Sequence, residues 1–390
     1  MGCTDVAGMV GGPVKQRCKL LFLVTEDWYF CSHRLALGVA AVKAGWEVVV
    51  VTQLQSHRHI IEEAGMRVIP WEHKRGSLNP WKTAQTLLQL FWIYRSEQPD
   101  LVHHVALKPV LYGGLIASGL GMEQQVNALA GLGWLYSSTK WFAKLLGFLI
   151  APVLRLVLSR GLCLVQNPAD RQWVEQLGVS SDRIRMIRGA GVDLQVFQPN
   201  SASSSSQSTP TVMLVSRMLR DKGIIESVEA SRLLQARGIS FRMVLIGEPD
   251  LANRDTLHES ELMEWQREGL VEWWGRRDDI AKCYAQAEIA CLPSSYGEGV
   301  PKSLLEAASC GLPIVTTDAP GCREVVRQQE NGLLVQVRNP VALADALEIL
   351  LRDPEIRTRM GQCSRKLAEK EFAVEHIVTQ TLALYDELLV

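Results

Sequence analysis

At 390 residues the chain exceeds what one hydrophobic core usually organises, and 47% hydrophobic with 21% charged residues is the composition of a folded globular protein rather than a disordered one. A formal net charge of −1 argues against a dedicated nucleic-acid binder, whose domain would be strongly basic. That total hides an asymmetry: residues 1–200 carry 20 Lys and Arg against 14 Asp and Glu, or +6, and the remainder carries −7, which reads either as a first half suited to an anionic membrane surface or as ordinary surface variation.

The first fifteen residues are Gly-rich and lack the charged-then-apolar order of a secretion signal. None of the nine cysteines forms a Cys-x-x-Cys pair, which fits a reducing compartment without a structural metal site and predicts a cytoplasmic protein. Strands are expected at Lys19–Thr25, Glu47–Thr52, Arg67–Pro70 and Asp100–His104, with helices at Ser32–Ala44 and Pro80–Glu97 between them. Continuous β-branched runs alternating with helices imply a parallel sheet covered on both faces. The stretch Trp141–Leu158 is interrupted by Lys144, Gly147, Pro152 and Arg155, so its apolar pieces fall short of the ~20 residues of a spanning helix. It is read as a buried helix pair kinked at Pro152, or as an interfacial helix with Trp141, Phe142, Leu145 and Phe148 towards lipid.

Asn200–Pro210 is Ser-rich, uncharged and without large apolar residues, the composition of a flexible linker. The expected division is therefore 1–200, a linker at 201–210, and 211–390, with the last helix packing back on the first domain. After the linker the alternation resumes: strands at Val212–Ser216, Phe241–Gly247, Ile289–Pro293 and Pro313–Thr316, helices at Gly223–Gly238 and Pro301–Cys310, and a helical tail from about Val341. Two doubly wound α/β domains facing one another bind small molecules at the carboxyl ends of their strands.

The most informative segment is Pro293–Val315, in which a strand, a loop containing Gly297 and Gly299, and a helix opening at Pro301 follow in order. Free N–H groups at such a helix start attract anions. Glu298 lies at the helix mouth and Glu306 one to two turns inside it, where they could serve two hydroxyl clusters of one extended ligand, or be a solvated loop residue and a charge that favours the first turns of the helix. Arg217 follows the strand Val212–Ser216 and Lys222 precedes the helix at Gly223. Both reach the same sheet edge and form a diphosphate clamp, Arg by bidentate contact and Lys as a point charge.

At these residues the sequence resembles the retaining glycosyltransferases of family 4. Their Arg and Lys pair stands here as Arg217 with Lys222, their E-G-x-P-x-x-x-x-E as Glu298-Gly299-Val300-Pro301 through Glu306, and their G-x-G-V-D-x-x-x-F-x-P as Gly189–Pro199. The resemblance implies a GT-B fold of two Rossmann-like domains and a nucleotide-diphosphate sugar as donor, UDP-linked in the subgroup described below. Arg217 and Lys222 would hold the diphosphate, Glu306 the ribose and Glu298 the transferring sugar, with net retention at C1 and neither cofactor nor metal required. Gly247 in Gly247-Glu248-Pro249-Asp250, and Trp274-Gly275-Arg276, would line the base pocket.

On the acceptor side, His33 and Arg34 stand at the first strand-to-helix junction, where the family often has a Gly-rich loop. His103 and His104 replace a His-x-His edge, and strand alternation lets one of them enter the cleft. Lys108-Pro109 and Val126–Gly133, with Asn127, resemble a subgroup that builds bacterial surface polysaccharides. The implied acceptor is a glycan or an undecaprenyl-diphosphate-linked sugar at the membrane face, with Lys108 meeting the carrier's phosphates. A sugar-nucleotide 2-epimerase and a non-catalytic partner subunit that binds the sugar nucleotide are the alternatives. A nicotinamide dehydrogenase is disfavoured, since no Gly-x-Gly-x-x-Gly follows the first strand of either half.

Overall fold

The computed structural model describes residues 18–72, 80–131, 141–200, 209–295 and 297–389, with the side chains of residues 80 and 141–149 excepted. Two parallel sheets organise the chain. The first holds β1 (Lys19–Glu26), β2 (Glu47–Gln53), β3 (Arg67–Pro70), β4 (Leu101–Val105), β5 (Gln125–Ala128), β6 (Leu162–Val165) and β7 (Ile184–Met186), in the order β3-β2-β1-β4-β5-β6-β7. The second holds β8 (Thr211–Val215), β9 (Arg242–Ile246), β10 (Glu272–Trp273), β11 (Ile289–Leu292), β12 (Ile314–Thr317) and β13 (Gly332–Val335), in the order β10-β9-β8-β11-β12-β13. Both strand orders reverse direction beside the first strand of the sheet, which leaves a crevice at the carboxyl edge.

The buried strands are apolar on both faces because helices cover both. Leu20, Phe22, Val48 and Val50 pack with Phe30, Leu37 and Ala41 on one side, and Leu21, Leu23, Val49 and Val51 with Leu90 and Tyr94 on the other. The terminal helix Val374–Leu389 lies on the first of these faces through Ile377, Leu384 and Tyr385. The chain therefore crosses between the sheets twice, and the crossings are stapled together: Val192 N–H donates to the Phe372 carbonyl at 2.8 Å, and Val374 N–H to the Val192 carbonyl at 3.0 Å. Gly191 (φ +76) sits so close to Val374 that a Cβ would lie 2.7 Å from its Cα.

Two expectations change. The helix expected over Ser32–Ala44 is two helices, Asp27–His33 and Leu35–Lys43, broken where Arg34 takes φ −132 and ψ −7. The first begins at Asp27, whose buried carboxylate accepts N–H bonds from Trp28, Gln55 and His57 at 2.7–2.9 Å. The pair of helices expected about Pro152 is one helix, Trp141–Arg160, with Pro152 inside it. Its final turns are anchored by the buried Leu154, Val157 and Leu158, burial enough to offset the ~3 kcal/mol an interior proline costs. The lipid-facing role given to Trp141, Phe142, Leu145 and Phe148 lies outside the described side chains, as does most of the Ser-rich segment. Among the described residues no helix is long and apolar enough to cross a membrane, and the eight described cysteines are free.

Candidate active site

The site assembles at the carboxyl edge of the second sheet. After β8 the chain turns at Arg217, makes a 3-10 turn over Arg220–Lys222 and enters the helix Ile224–Ala236 through Gly223 (φ +77). A Cβ on Gly223 would lie 2.2 Å from the Pro293 carbonyl oxygen, so only glycine lets this turn press against the end of β11. That approach is sealed by Ser295 N–H and the Ser294 hydroxyl, both donating to the Asp221 carbonyl at 2.9 and 3.1 Å. It brings Lys222 to the loop before the helix Lys302–Ser309.

There Lys222 Nζ meets Glu298 Oε2 at 2.6 Å, with side chains only 12% and 15% exposed. The other oxygen, Glu298 Oε1, is buried and makes no hydrogen bond among the described residues, which leaves an acceptor for a hydroxyl. Arg217 Nη1 meets Asp250 Oδ2 at 2.6 Å. Glu306 is buried in the helix and contacts Lys302 Nζ at 3.4 Å. Burial raises its carboxyl above the usual range, and the Lys302 charge opposes that. Gly299, Val300 and Pro301 connect the two glutamates, with Val300 and Pro301 buried. The segments assigned to the base also meet: Gly247 N–H donates to the Gly275 carbonyl and Trp273 Nε1 to the Gly247 carbonyl, both at 2.8 Å, and Arg276 faces Glu248 at 3.4 Å.

The first sheet supplies the opposite wall. His33 stacks on Tyr29 with centroids 4.1 Å apart, and Lys302 Nζ reaches Ser32 Oγ at 3.5 Å. Burial, followed by the positive charges of Lys302, Arg34 and Lys222, pushes His33 down to about 3, so its imidazole is neutral. His33 thus lies on the cleft. Arg34 is buried behind it: its Nη1 donates to the His33 carbonyl at 3.2 Å, and its charge also acts on His103 and Tyr385 in the interior. Lys108 is half-buried over the Tyr112 ring at 5.5 Å, and burial lowers its ammonium below the ordinary lysine value.

The histidine pair departs from expectation, because neither ring is open to the cleft; both are fully buried. The alternation of strand faces holds, but each face is covered by a helix. His103 Nδ1 bonds the Tyr385 hydroxyl at 2.5 Å, tying the terminal helix to β4. His104 lies between Asn127 Oδ1 at 2.7 Å and the Tyr94 hydroxyl at 3.0 Å. With Asn127 Oδ1 accepting, Nδ1 carries the proton and Nε2 accepts from the tyrosine. Asn127 is consequently an interior partner of His104 rather than a group facing an acceptor.

Sequence reasoning missed what holds the Glu298 loop from the first half. Gln166 and Asn167 follow β6 directly. Gln166 Oε1 accepts the Val300 N–H at 2.8 Å, and Asn167 Nδ2 donates to the carbonyls of Glu298 and Gly299 at 3.3 and 3.5 Å. The same amide nitrogen donates to Asp170 Oδ2 at 2.9 Å, and Asn167 Oδ1 caps the helix Pro168–Gln176 by accepting from Asp170 N–H. Burial pushes the Asp170 carboxyl up to about 7. Asn167-Pro168-x-Asp170 was readable as a helix start, but nothing in the pattern says that the cap also reaches residue 298.

The fold and site define a two-domain glycosyltransferase. Residues 19–160 match the family profile described as glycosyl transferase 4-like, and residues 198–367 match the glycosyl transferases group 1 profile. The chain belongs to this glycosyltransferase family, with the GT-B fold. Among its relatives is the N,N'-diacetylbacillosaminyl-diphospho-undecaprenol alpha-1,3-N-acetylgalactosaminyltransferase of Campylobacter jejuni, 26% identical over 88% of this chain and 92% of the relative. The UDP-Gal:alpha-D-GlcNAc-diphosphoundecaprenol alpha-1,3-galactosyltransferase of Escherichia coli is 22% identical over 79% and 81%. HepE of Anabaena, solved in complex with UDP, shares the fold at TM-score 0.75 and 18% identity, covering 95% of this chain and 100% of that one.

Proposed function

We propose that the chain transfers a hexose or N-acetylhexosamine from a UDP-sugar to a glycan or undecaprenyl-diphosphate-linked acceptor, with retention at C1 and no metal required. The observation that carries the reading is the Lys222–Glu298 pair at the mouth of the helix Lys302–Ser309, with one glutamate oxygen unbonded among the described residues. A diphosphate takes Lys222 and Arg217 from their carboxylate partners, and Glu298 is released to bind hydroxyls of the sugar. As the C1–O bond to the β-phosphate breaks, the growing negative charge falls on these cations, an electrostatic contribution of the kind that dominates many catalysed reactions. The acceptor oxygen bonds to C1 from the same face, and its proton passes to the leaving phosphate oxygen, giving UDP. Glu306, one to two turns further along the helix, holds the ribose hydroxyls.

Thermal-shift measurement against UDP-, GDP- and ADP-sugars tests the nucleotide. A UDP-sugar at a hundredfold over its Kd is expected to stabilise by about 2.7 kcal/mol, raising the unfolding midpoint by roughly 2–4 °C. No shift with any of the three would remove the reading.

Peripheral contact with an anionic membrane belongs to the same proposal, supported by a different surface from the one expected. On the helix Pro80–Glu97, Trp81, Leu88 and Trp92 are 80%, 57% and 61% exposed. Spacings of seven and four residues put them in one stripe, with exposed Lys82 and Arg95 on the same helix. Exposed tryptophans beside cations suit a headgroup interface. Trp81→Asp and Trp92→Asp are each expected to lower co-sedimentation with phosphatidylglycerol vesicles by about ten-fold or more, with the melting temperature kept. Unchanged partitioning would exclude this face.

A further inference from the structure

We propose that Gln166 and Asn167 are positioning residues for the sugar end of the donor site: they make the placement of Glu298 depend on contact between the two halves of the molecule. The proposal rests on the reading of Glu298 as the sugar-binding carboxylate.

The loop at residues 297–300 has little freedom of its own. It is gripped on three sides by atoms from separate parts of the chain. Below it, Gln166 and Asn167 make the three hydrogen bonds described above to Val300 N and the carbonyls of Glu298 and Gly299. Gly299 has no room for a side chain, since a Cβ there would stand 2.1 Å from Gln166 Oε1. Beside it, Gly131 (φ +88), just beyond β5, leaves space in which a Cβ would fall 2.8 Å from Gly299 N. On the far side, Gly321 (φ +84) approaches so closely that a Cβ would lie 1.8 Å from the Gly299 oxygen.

Two of these three contacts come from the first sheet and one from the second. From the second sheet's half the main chain of the loop is held by Gly321 on one side only, besides the ion pair of the Glu298 side chain with Lys222. Moving the halves apart removes the partners of the Glu298 and Gly299 carbonyls and of Val300 N together. Asn167 has a second duty, capping its own helix through Oδ1, and the two duties use different atoms of one amide. They can be separated by substitution. Serine keeps a good N-cap oxygen but lacks the amide that reaches residue 298, and alanine loses both.

Calorimetric titration with UDP and with UDP-N-acetylgalactosamine, alongside melting temperatures, tests this. In the wild type the sugar is expected to add affinity over UDP alone. Asn167→Ser and Gln166→Leu should lose that increment by about ten-fold or more, as expected for a group displaced by an ångström, while UDP affinity stays within about three-fold. Asn167→Ala should lose the same increment and melt lower as well, and Gln166→Glu, which keeps an acceptor for Val300 N, should retain it. Wild-type increments in Asn167→Ser and Gln166→Leu would overturn the proposal. So would UDP and UDP-sugar affinities falling in step with the melting temperature, the signature of a structural role alone. A wild type that bound neither ligand would instead overturn the donor reading, and the proposal with it.

Discussion

Lys222→Ala is expected to lower the turnover of sugar transfer by about 10²–10³-fold, the cost typical of deleting one preorganised group that stabilises transition-state charge. The structure adds a second effect. Lys222 and Glu298 face each other at 2.6 Å, so removing the lysine leaves a bare carboxylate where the diphosphate must sit. UDP affinity should therefore fall as well, beyond the loss of a single attraction. Adding Glu298→Gln to Lys222→Ala removes that repulsion and should recover UDP binding by about ten-fold, a coupling typical of neighbouring charges, without recovering turnover. Circular dichroism should show an intact fold in both variants. Turnover of Lys222→Ala within ten-fold of wild type would exclude the clamp, and identical UDP affinities in the single and double variants would exclude the repulsion.

The second large effect is a pH-dependent loss of stability traced to His104. Burial lowers its pKa to about 4, with the hydrogen bond to Asn127 opposing the shift. A histidine depressed in the folded state binds its proton more weakly there than in the unfolded chain. Its contribution is thus complete above the unfolded value near 6.5 and is lost as the pH falls through about 4. The span corresponds to on the order of 3 kcal/mol. Asp170 runs the other way: with its carboxyl raised to about 7 by burial, its contribution is complete below the unfolded value near 4 and is lost as the pH rises through 7. The raw stability profile mixes these with His33 and His103, which burial depresses in the same direction as His104. The difference between wild type and His104→Gln isolates the histidine, and urea midpoints between pH 7 and 4 should show wild type losing ground to that variant. A constant difference across the range would refute the assignment.

Much of this molecule was legible because its chemistry is local. β1, β2 and the helix Pro80–Glu97 announce themselves by periodicity, and Glu47, Arg67 and Pro80 bound their elements where the pattern placed them. Arg217, Lys222, Glu298 and Glu306 were legible for a related reason. Each sits a fixed few residues from a strand or helix end, so the fold brings them to one edge without further information. What escaped was non-local. His103 and His104 alternate as expected, yet their exposure depends on a helix 282 residues away in the case of Tyr385, and periodicity carries no trace of that. Gln166 is likewise indistinguishable from any polar residue at a strand end until the Val300 N–H 134 residues later arrives beside it.

The staple between Val192 and the Phe372–Val374 crossing has a mechanical meaning. Two covalent crossings lying side by side, with main-chain bonds between them, behave as a short hinge pin rather than a tether. Sliding and wide twisting of one half against the other are costly, and one rotation remains easy. Points near the pin barely move in that rotation, and points far from it swing furthest. A ligand that touched both halves far from the pin would therefore oppose such a rotation with the longest lever arm.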